Sequence, residues 1–254
     1  MTQPIQPAFR TLVLDVDSTV SGIEGIDWLA ARRGDVIARR VADLTKQAMQ
    51  GGVPLEQVYG LRLSEIRPRR DDVDALARAY VEALAPGAVE SIASMRRAGV
   101  QIMLVSGGLR HALLRMALHL GLSPGDVHAV SLQFDTGGAY RGYDAASPLT
   151  TADGKRTVVA DLNLDGPVLA AGDGATDLVM RDVVDLFVAY TGFVTRTNVV
   201  DGADVVASSF AELERIVLST PDLPLRGAHA VTRRSDHRRP PARSSLSGQD
   251  RPNP

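Results

Sequence analysis

TLVLDVDSTV (residues 11–20) is an apolar run that passes directly into two aspartates. A continuous apolar segment such as residues 11–14 is typical of a strand that is buried on both faces of a parallel sheet. Asp15 and Asp17 follow this segment two positions apart, so their carboxylates can converge where the strand meets a loop. Because ligands of open α/β sheets bind beyond the carboxyl ends of the strands, this stretch predicts a strand with a functional site at its end.

Other apolar runs along the chain also end in residues that could bind a ligand. VQIMLV (100–105) precedes Ser106-Gly107-Gly108, and VLAA (168–171) precedes GDGATD (172–177). Residues 127–132 form another run, 186–190 and 205–207 form weaker ones, and helical patterns cover 88–98, 109–120 and 157–164. This alternation predicts an α/β fold with a doubly wound, mostly parallel sheet as its core.

One interval breaks the alternation. Between residues 25 and 85 we find only helical patterns, at 35–50, 55–66 and 72–84. They predict a small all-helical module, residues 25–85, which is inserted into an α/β core of residues 1–24 and 86–220. Further along, DTGGAYRGY (135–143) predicts a β-hairpin around two adjacent glycines.

Composition narrows the classes of function. The chain has 254 residues, 44% of them hydrophobic, no cysteine and a net charge of −2. The lack of cysteine excludes disulfide scaffolds, thiolate metal sites and cysteine nucleophiles, and the charge gives no sign of a nucleic-acid partner. The first nine residues do not resemble a signal peptide, and no uncharged apolar stretch approaches the ~18 residues that span a bilayer. We therefore expect a cytoplasmic protein with no nucleic-acid or membrane partner.

The C-terminal segment differs from the rest of the chain. Residues 226–254 contain seven arginines and two aspartates, together with several proline, serine and glycine residues. A segment of this composition can bury little apolar surface. Residues 221–254 are therefore predicted to be a basic, disordered tail.

The aspartates at the predicted strand ends imply a bound cation. Four carboxylates are expected near one edge of the sheet: Asp15, Asp17, Asp173 and Asp177. They would carry −4 if all were ionised, and Lys155, one of only two lysines in the chain, returns +1. Two like charges ~4 Å apart repel by roughly 4 kcal/mol at an effective dielectric of 20, so the cluster needs a dication, raised pKa values, or both. Ligands that are all oxygen atoms favour Mg2+ over zinc.

A phosphate group fits the same edge of the sheet. Ser106 offers a hydroxyl, and Gly107 and Gly108 offer backbone amides that no side chain shields. Such groups can bind phosphate oxygens. With Mg2+ bound and one aspartic acid protonated, the net charge of the cluster is close to zero, so that it can accept a phosphate dianion.

The motifs DVDSTV, SGG, GK (154–155) and GDGATD, in this order, resemble those of the haloacid dehalogenase superfamily of phosphohydrolases, and the inserted helices resemble its first type of cap. Longer stretches, among them TKQAMQGGVPLEQVYGLRLSEIRP and VSGGLR, are similar to the phosphoserine phosphatase family, over about residues 11–213. The resemblance implies Mg2+-dependent hydrolysis of a small phosphomonoester substrate, O-phospho-L-serine, to L-serine and phosphate, which completes serine biosynthesis. We expect a monomer or a homodimer.

The resemblance also implies a role for each motif residue. Asp15 would be the nucleophile that forms an aspartyl-phosphate, and Asp17 would protonate the leaving serine oxygen and then deprotonate the attacking water. Mg2+ would be held by the Asp15 carboxylate, the Asp17 backbone carbonyl and Asp173, and Asp177 would support these ligands. The phosphoryl oxygens would be bound by Ser106, Gly107, Gly108 and Lys155.

Substrate choice would come mainly from the cap. Glu24 matches an acidic residue of the family and complements the substrate ammonium, and Arg62 matches the arginine that clamps the substrate carboxylate. Met49 would pack over the site, and Thr176 occupies a motif position that contacts substrate. Arg196 matches a late arginine of the family, to which we assign no role.

Two residues depart from the family pattern. Leu55 stands where phenylalanine is common, and Gln50 stands where glycine is expected. A looser lid or a bulkier neighbour beside Met49 could change the size of the pocket. The alternatives are therefore a related phosphatase for another small phosphorylated metabolite and a non-catalytic phosphate-binding regulatory protein. The second alternative has less support because every catalytic position of the family is present.

Overall fold

The computed structural model describes residues 7–49 and 54–219. This part of the chain contains eight strands, β1 (Thr11–Leu14), β2 (Gln101–Leu109), β3 (Val127–Val130), β4 (Leu132–Phe134), β5 (Tyr140–Tyr143), β6 (Val168–Gly172), β7 (Leu186–Tyr190) and β8 (Val205–Ala207). Six of them form a parallel sheet in the order β3-β2-β1-β6-β7-β8. The predicted α/β class with a doubly wound, mostly parallel sheet is thereby confirmed.

Strand β1 lies inside the sheet, between β2 and β6. Every residue of β1, β6 and β7 is buried, as expected for continuous apolar runs that are covered on both faces. The chain adds β2 and β3 on one side of β1 and then continues with β6 on the other side. The strand order therefore reverses next to β1, which opens a crevice at the carboxyl ends of the strands.

Helices fill the interval between β1 and the next core element. In the described part of this interval they are α1 (Gly25–Arg32), α2 (Asp35–Met49), α3 (Leu55–Ile66) and α4 (Arg70–Glu82). The segments that lead into and out of these helices pair with each other, because Gly22 N–H donates to Ala83 O (2.9 Å) and Ala85 N–H donates to Val20 O (2.9 Å). We call α1–α4 and their connections the insertion. It begins and ends beside the loop that follows β1, whereas its status as a separate domain of residues 25–85 stays a prediction.

The remaining described helices belong to the core. They are α5 (Ala88–Arg97), α6 (Arg110–His119), α7 (Gly154–Asp161), α8 (Ala175–Leu178), α9 (Thr197–Gly202) and α10 (Phe210–Leu218). Helix α5 packs against α10, and α6 packs against α4 of the insertion. The insertion therefore packs against the core through α6, which begins directly after β2.

The predicted hairpin is present and contacts the insertion. Strands β4 and β5 pair in antiparallel fashion as a second, two-stranded sheet. The ring of Tyr143 lies 5.3 Å from that of Tyr59 in α3, and the guanidinium of Arg70 in α4 lies 4.9 Å above the ring of Phe134. The hairpin therefore connects the core to two helices of the insertion.

Some element boundaries differ from those predicted. Strand β2 was expected to end at residue 105, but it continues through the two glycines, because Leu109 still pairs with Val130 of β3 after a register shift. The apolar run 127–132 is split, since β3 ends at Val130 and β4 begins at Leu132 in the other sheet. The apolar pattern 157–164 overlaps helix α7, whose polar first turn begins at Gly154 and contains Lys155.

Part of the prediction lies outside the described residues. This applies to the basic tail, residues 221–254, to Gln50 and to the side chain of Met49. Among the described helices, none is long and apolar enough to cross a membrane.

Candidate active site

The carboxyl ends of three neighbouring strands bring the predicted site residues to one edge of the sheet. Asp15 directly follows β1, and its backbone N–H donates to the carbonyl of Ala171 in β6 (3.0 Å). Asp173 directly follows β6, and Ser106 lies near the end of β2. Because β2, β1 and β6 are adjacent, residues that are far apart in the sequence meet at this edge.

Three buried aspartates form a compact cluster. One carboxylate oxygen each from Asp15, Asp173 and Asp177 lies within 4.8 Å of the other two. Burial, followed by repulsion from Asp177, raises the pKa of Asp15 from its ordinary value of 3.8 to about 8. The cluster therefore favours a cation, and its oxygen atoms are spaced closely enough to share one. The Asp17 carboxylate is outside this group and points toward the insertion.

Lys155 supplies a positive charge to the acidic cluster. It lies in the first turn of α7, is only 7% exposed, and its ammonium contacts the carboxylates of both Asp15 and Asp177. Burial by itself would lower the pKa of Lys155, but the two carboxylates raise it above the ordinary value. Lys155 therefore stays protonated at neutral pH and can bind an anion that approaches Asp15.

The turn after β6 holds Asp173 and Asp177 in place. The hydroxyl of Thr19 donates to Asp173 Oδ1 (3.2 Å), and the backbone N–H of Gly174 donates to Asp177 Oδ2 (2.8 Å). A Cβ atom at Gly172 would lie 2.4 Å from Asp177 Cγ, so this position needs glycine. The GDGATD motif (172–177) therefore forms a tight turn in which the side chain of Asp177 packs against the backbone of Gly172.

Arg196 links the acidic cluster to Glu24. One guanidinium nitrogen contacts Asp173 Oδ2 and lies 3.4 Å from the Asp173 carbonyl oxygen, and the other lies 3.8 Å from Glu24 Oε1. Glu24 also accepts a hydrogen bond from the hydroxyl of Ser18 (2.8 Å). Sequence reasoning left Arg196 without a role, whereas the structure positions it at the site.

Asp17 is held by the insertion. The backbone N–H of Gly25, at the start of α1, donates to Asp17 Oδ2 (2.9 Å), and the hydroxyl of Tyr80 in α4 donates to Asp17 Oδ1 (2.6 Å). Burial, followed by the charge of Glu24, raises the pKa of Asp17 to about 6. A carboxyl group with such a pKa can both give up and take back a proton near neutral pH.

The end of β2 forms a polar loop at the same edge. Ser106 is buried, and its hydroxyl oxygen accepts a hydrogen bond from the backbone N–H of Gly108 (2.9 Å). Within the described part of the chain, its own hydroxyl hydrogen has no acceptor and is available to a ligand. The carbonyl of Gly107 accepts a hydrogen bond from the hydroxyl of Tyr59 in α3 (2.9 Å), so the insertion also contacts this loop.

The remaining predicted residues are less directly connected to the cluster. Arg62 in α3 donates a hydrogen bond to Asp27 Oδ1 of α1 (2.8 Å), and its Nε is buried with no partner among residues 7–49 and 54–219. Thr176 is half-buried in the first turn of α8, between Asp173 and Asp177. Met49 is the last residue of α2. Among residues 7–49 and 54–219, no hydrogen bond or ion pair joins Arg62 or Thr176 to Asp15, so the sequence remains the reason for assigning them to substrate.

Four residues of the site were not predicted. Ser18 and Thr19 lie inside the DVDSTV motif, so the motif itself could have suggested them. Tyr59 in α3 and Tyr80 in α4 each stand at helical spacing from other apolar residues. Buried aromatic residues in such a pattern usually belong to a core. Only the tertiary structure reveals that their hydroxyl groups reach Gly107 and Asp17.

Known proteins are similar to this chain in sequence and in fold. A model of the haloacid dehalogenase-like hydrolases matches residues 9–181. The phosphoserine phosphatase of Bos taurus is 35% identical over 202 residues, which cover 78% of this chain and 89% of that protein. The chloroplastic phosphoserine phosphatase of Arabidopsis thaliana is 34% identical over 209 residues, which cover 80% and 70%. A solved structure of a phosphoserine phosphohydrolase-like protein from Francisella tularensis subsp. tularensis has the same fold, with a TM-score of 0.73, 22% identity, and coverage of 82% of this chain and 99% of that one. The chain therefore belongs to the phosphoserine phosphatase family of the haloacid dehalogenase-like hydrolases.

Proposed function

We propose that this chain is a phosphatase that hydrolyses O-phospho-L-serine to L-serine and phosphate through a phosphorylated Asp15. The observation that carries the proposal is the buried cluster in which the Asp15 carboxylate contacts Lys155 and lies within 4.8 Å of Asp173 and Asp177 oxygens. Family membership supports phosphoserine as the substrate, since relatives with that named activity align with most of this chain.

Mg2+ is the metal that we propose for this cluster. The candidate ligands are all oxygen atoms, which Mg2+ prefers, and one carboxylate oxygen each from Asp15, Asp173 and Asp177 lies within 4.8 Å of the other two. We assign the ligands to the Asp15 carboxylate, the Asp17 backbone carbonyl and Asp173, with Asp177 as their support. When bound, Mg2+ would neutralise part of the acidic charge and align a phosphate oxygen with Asp15.

The phosphoryl group would be bound by the polar loop and the lysine. Ser106 would donate its hydroxyl hydrogen and the backbone amide of Gly107 would add a hydrogen bond to the phosphoryl oxygens, while the Gly108 amide, which donates to the Ser106 hydroxyl oxygen, would hold that hydroxyl in place. Lys155 would contribute a fixed positive charge on the side of Asp15. Donors that are already in place when charge develops on the phosphoryl oxygens stabilise the transition state without reorganisation.

Two half-reactions follow from these groups. An oxygen of Asp15 forms a bond to phosphorus while the bond from phosphorus to the serine oxygen breaks, and Asp17 gives its proton to that oxygen. Water then attacks the phosphorus, Asp17 takes a proton from it, and the bond between phosphorus and Asp15 breaks. A pKa of about 6 for Asp17, raised by burial and by Glu24, suits a group that acts in both directions.

The amino-acid part of the substrate would be recognised by two charged side chains. Glu24 has 46% of its side chain exposed and can pair with the substrate ammonium. Arg62 has a buried Nε without a hydrogen-bond partner in the described part of the chain, and it can bind the substrate carboxylate. Met49 and Thr176 would complete the pocket. Cytoplasmic location and a monomeric or homodimeric state stay predictions.

The test is release of phosphate from a substrate panel. Phosphoserine, phosphothreonine and a sugar phosphate are compared in Mg2+ and in EDTA. We expect turnover only with Mg2+ and the highest kcat/KM for phosphoserine, and Asp15→Asn should lose activity by several orders of magnitude while its circular dichroism is unchanged. Preference for another ester would establish the related-phosphatase alternative, and no turnover of any ester would establish a binding protein.

A further inference from the structure

The insertion holds both oxygen atoms of the Asp17 carboxylate. Asp17 Oδ2 accepts the backbone N–H of Gly25 in α1 at 2.9 Å, and Asp17 Oδ1 accepts the hydroxyl of Tyr80 in α4 at 2.6 Å. The backbone of Asp17, by contrast, belongs to the loop that follows β1. The orientation of this carboxylate is therefore set by helices that are not part of the core.

Tyr80 has little freedom to move. It is fully buried, and its own backbone carbonyl accepts a hydrogen bond from the hydroxyl of Ser21 (3.1 Å) at the point where the chain enters the insertion. A Cβ atom at position 25 would lie 2.1 Å from the Tyr80 hydroxyl oxygen, so Gly25 leaves just enough room for that hydroxyl. Packing therefore fixes the position of the Tyr80 hydroxyl, and the hydrogen bond from this hydroxyl fixes the orientation of the Asp17 carboxylate.

We propose that Tyr80 is a positioning residue for Asp17, whose hydroxyl orients the carboxyl group toward the leaving oxygen of the substrate. This inference rests on the proposed function, in which Asp17 is the general acid. Each carboxylate oxygen can take part in two hydrogen bonds, so Asp17 can accept from Tyr80 and Gly25 and still direct a proton to the substrate. Without the hydroxyl, one oxygen loses its partner, and the carboxyl group can rotate away from the geometry needed for proton transfer.

The proton transfer matters only for some leaving groups. In the first half-reaction, the Asp15–phosphorus bond forms, the ester bond breaks, and its electron pair stays on the leaving oxygen. A serine oxygen needs the proton of Asp17 at that moment, whereas p-nitrophenolate leaves as a stable anion without one. A defect in the orientation of Asp17 should therefore slow the first half-reaction with phosphoserine and spare that with p-nitrophenyl phosphate.

Tyr80→Phe removes the hydroxyl and keeps the buried ring. The full-length variant is compared with the unaltered chain by kcat/KM in saturating Mg2+, because this quantity reports the steps through release of the alcohol and not the later hydrolysis. We expect kcat/KM to fall about tenfold for phosphoserine and by less than about twofold for p-nitrophenyl phosphate. The loss is smaller than the 10²–10⁴-fold that general acid catalysis typically contributes, since Gly25 still holds the carboxylate.

Tyr59→Phe is the matched control. Tyr59 is also a buried tyrosine of the insertion, but its hydroxyl donates to the Gly107 carbonyl and not to Asp17. Any effect of Tyr59→Phe should be the same factor for both substrates. A change in the fraction of folded enzyme would likewise alter both substrates equally, so the ratio of the two kcat/KM values is insensitive to partial unfolding.

Asp17→Asn separates this inference from the proposed function. If Asp17→Asn discriminates between the two substrates but Tyr80→Phe reduces both equally or neither, the positioning role is wrong and the proposed function stands. If Asp17→Asn itself reduces both substrates equally, Asp17 is not the general acid, and the proposed mechanism fails. Selective loss in both variants supports the positioning role.

Discussion

Lys155 is placed between two buried acids, and this gives it a structural role as well as a chemical one. Its ammonium contacts Asp15 and Asp177, and these carboxylates raise its pKa above the ordinary value although burial alone would lower it. Removal of one member of a buried charge network leaves the other members without compensation, which typically costs about 3–5 kcal/mol. The same side chain would contact the phosphoryl group in the proposed reaction, so both stability and turnover depend on it.

We therefore expect Lys155→Ala to lower kcat by at least about 10²-fold, because a charged donor to the transition state is lost. In EDTA, its free energy of unfolding should fall by about 3 kcal/mol in urea titrations. The chain offers a matched control, since its other lysine, Lys46, is exposed on α2. Lys46→Ala should change neither quantity, and full activity of Lys155→Ala would contradict the proposed phosphate site.

Arg62 tests the substrate assignment at the scale of a single side chain. Its buried Nε lacks a hydrogen-bond partner in the described part of the chain, although another nitrogen of the group binds Asp27. Loss of a charge-assisted hydrogen bond of about 1.5–3 kcal/mol predicts that Arg62→Ala raises KM for phosphoserine about 10–100-fold. KM for phosphoethanolamine, which has no carboxylate, should change by less than about threefold.

The control for this prediction is another arginine of the insertion. Arg40 in α2 is exposed and forms a surface ion pair with Glu65, so Arg40→Ala should leave both KM values unchanged. Equal increases in KM for phosphoserine and phosphoethanolamine in Arg62→Ala would show that this arginine does not bind the substrate carboxylate.

Elements with a strong local signal were predictable from the sequence. The strands β1 and β6 are uninterrupted apolar runs, and the motifs that follow them are at the ends where a parallel sheet binds its ligands. The end of β2 was not predictable, because Gly107 and Gly108 weaken the strand signal while pairing with β3 keeps the chain extended. The role of Tyr80 was not predictable either, because its partner, Asp17, is 63 residues away in the sequence.

Helix α7 shows how one glycine can control the position of a site residue. A Cβ atom at Gly154 would lie 1.9 Å from the carbonyl oxygen of Pro148, which is backbone and cannot rotate away. Gly154→Ala must therefore shift the first turn of α7, which carries Lys155. Overpacking of this kind typically costs about 1–3 kcal/mol, so we expect a lower midpoint of thermal unfolding and also a lower kcat.

Gly125→Ala is the control for this element. Nothing lies within 4 Å of a Cβ atom at Gly125, and this residue is exposed. The two variants are compared by thermal denaturation and by kcat on the same substrate. Unchanged stability and kcat in Gly154→Ala would mean that the first turn of α7 is not fixed by its contact with Pro148.

At the scale of the whole molecule, the strand order explains why one edge collects so much negative charge. The chain reverses direction across the sheet next to β1, and the turns after β1 and β6 each contribute aspartates to the crevice. The insertion leaves and re-enters the core beside that crevice, so its helices contact Asp17 and the loop at the end of β2. Folding thus buries acids that repel each other, and a metal ion should offset part of that cost.

This charge burial predicts how stability depends on pH in the metal-free protein. Burial and Asp177 raise the pKa of Asp15 from 3.8 to about 8, and burial and Glu24 raise the pKa of Asp17 to about 6. A group whose pKa is higher in the folded state contributes stability that is fully present below its ordinary pKa and is lost as the pH rises through its folded-state pKa. In EDTA, the contribution of these two groups should therefore decrease between about pH 4 and pH 8.

Mg2+ should offset the loss of stability at high pH, because it binds ionised carboxylates. We expect it to raise the midpoint of thermal unfolding little near pH 5 and most near pH 8.5. At a concentration about 100 times its Kd, the gain is about 2.7 kcal/mol, or about 5–10 °C for a chain of this size.

Asp15→Asn should weaken the response to Mg2+ at high pH, whereas Asp153→Asn, which changes an exposed aspartate outside the cluster, should retain it. A Mg2+ response that is equal at both pH values, or unchanged in Asp15→Asn, would mean that the ion binds elsewhere, and the acidic cluster would then need another account of how its charges are stabilised.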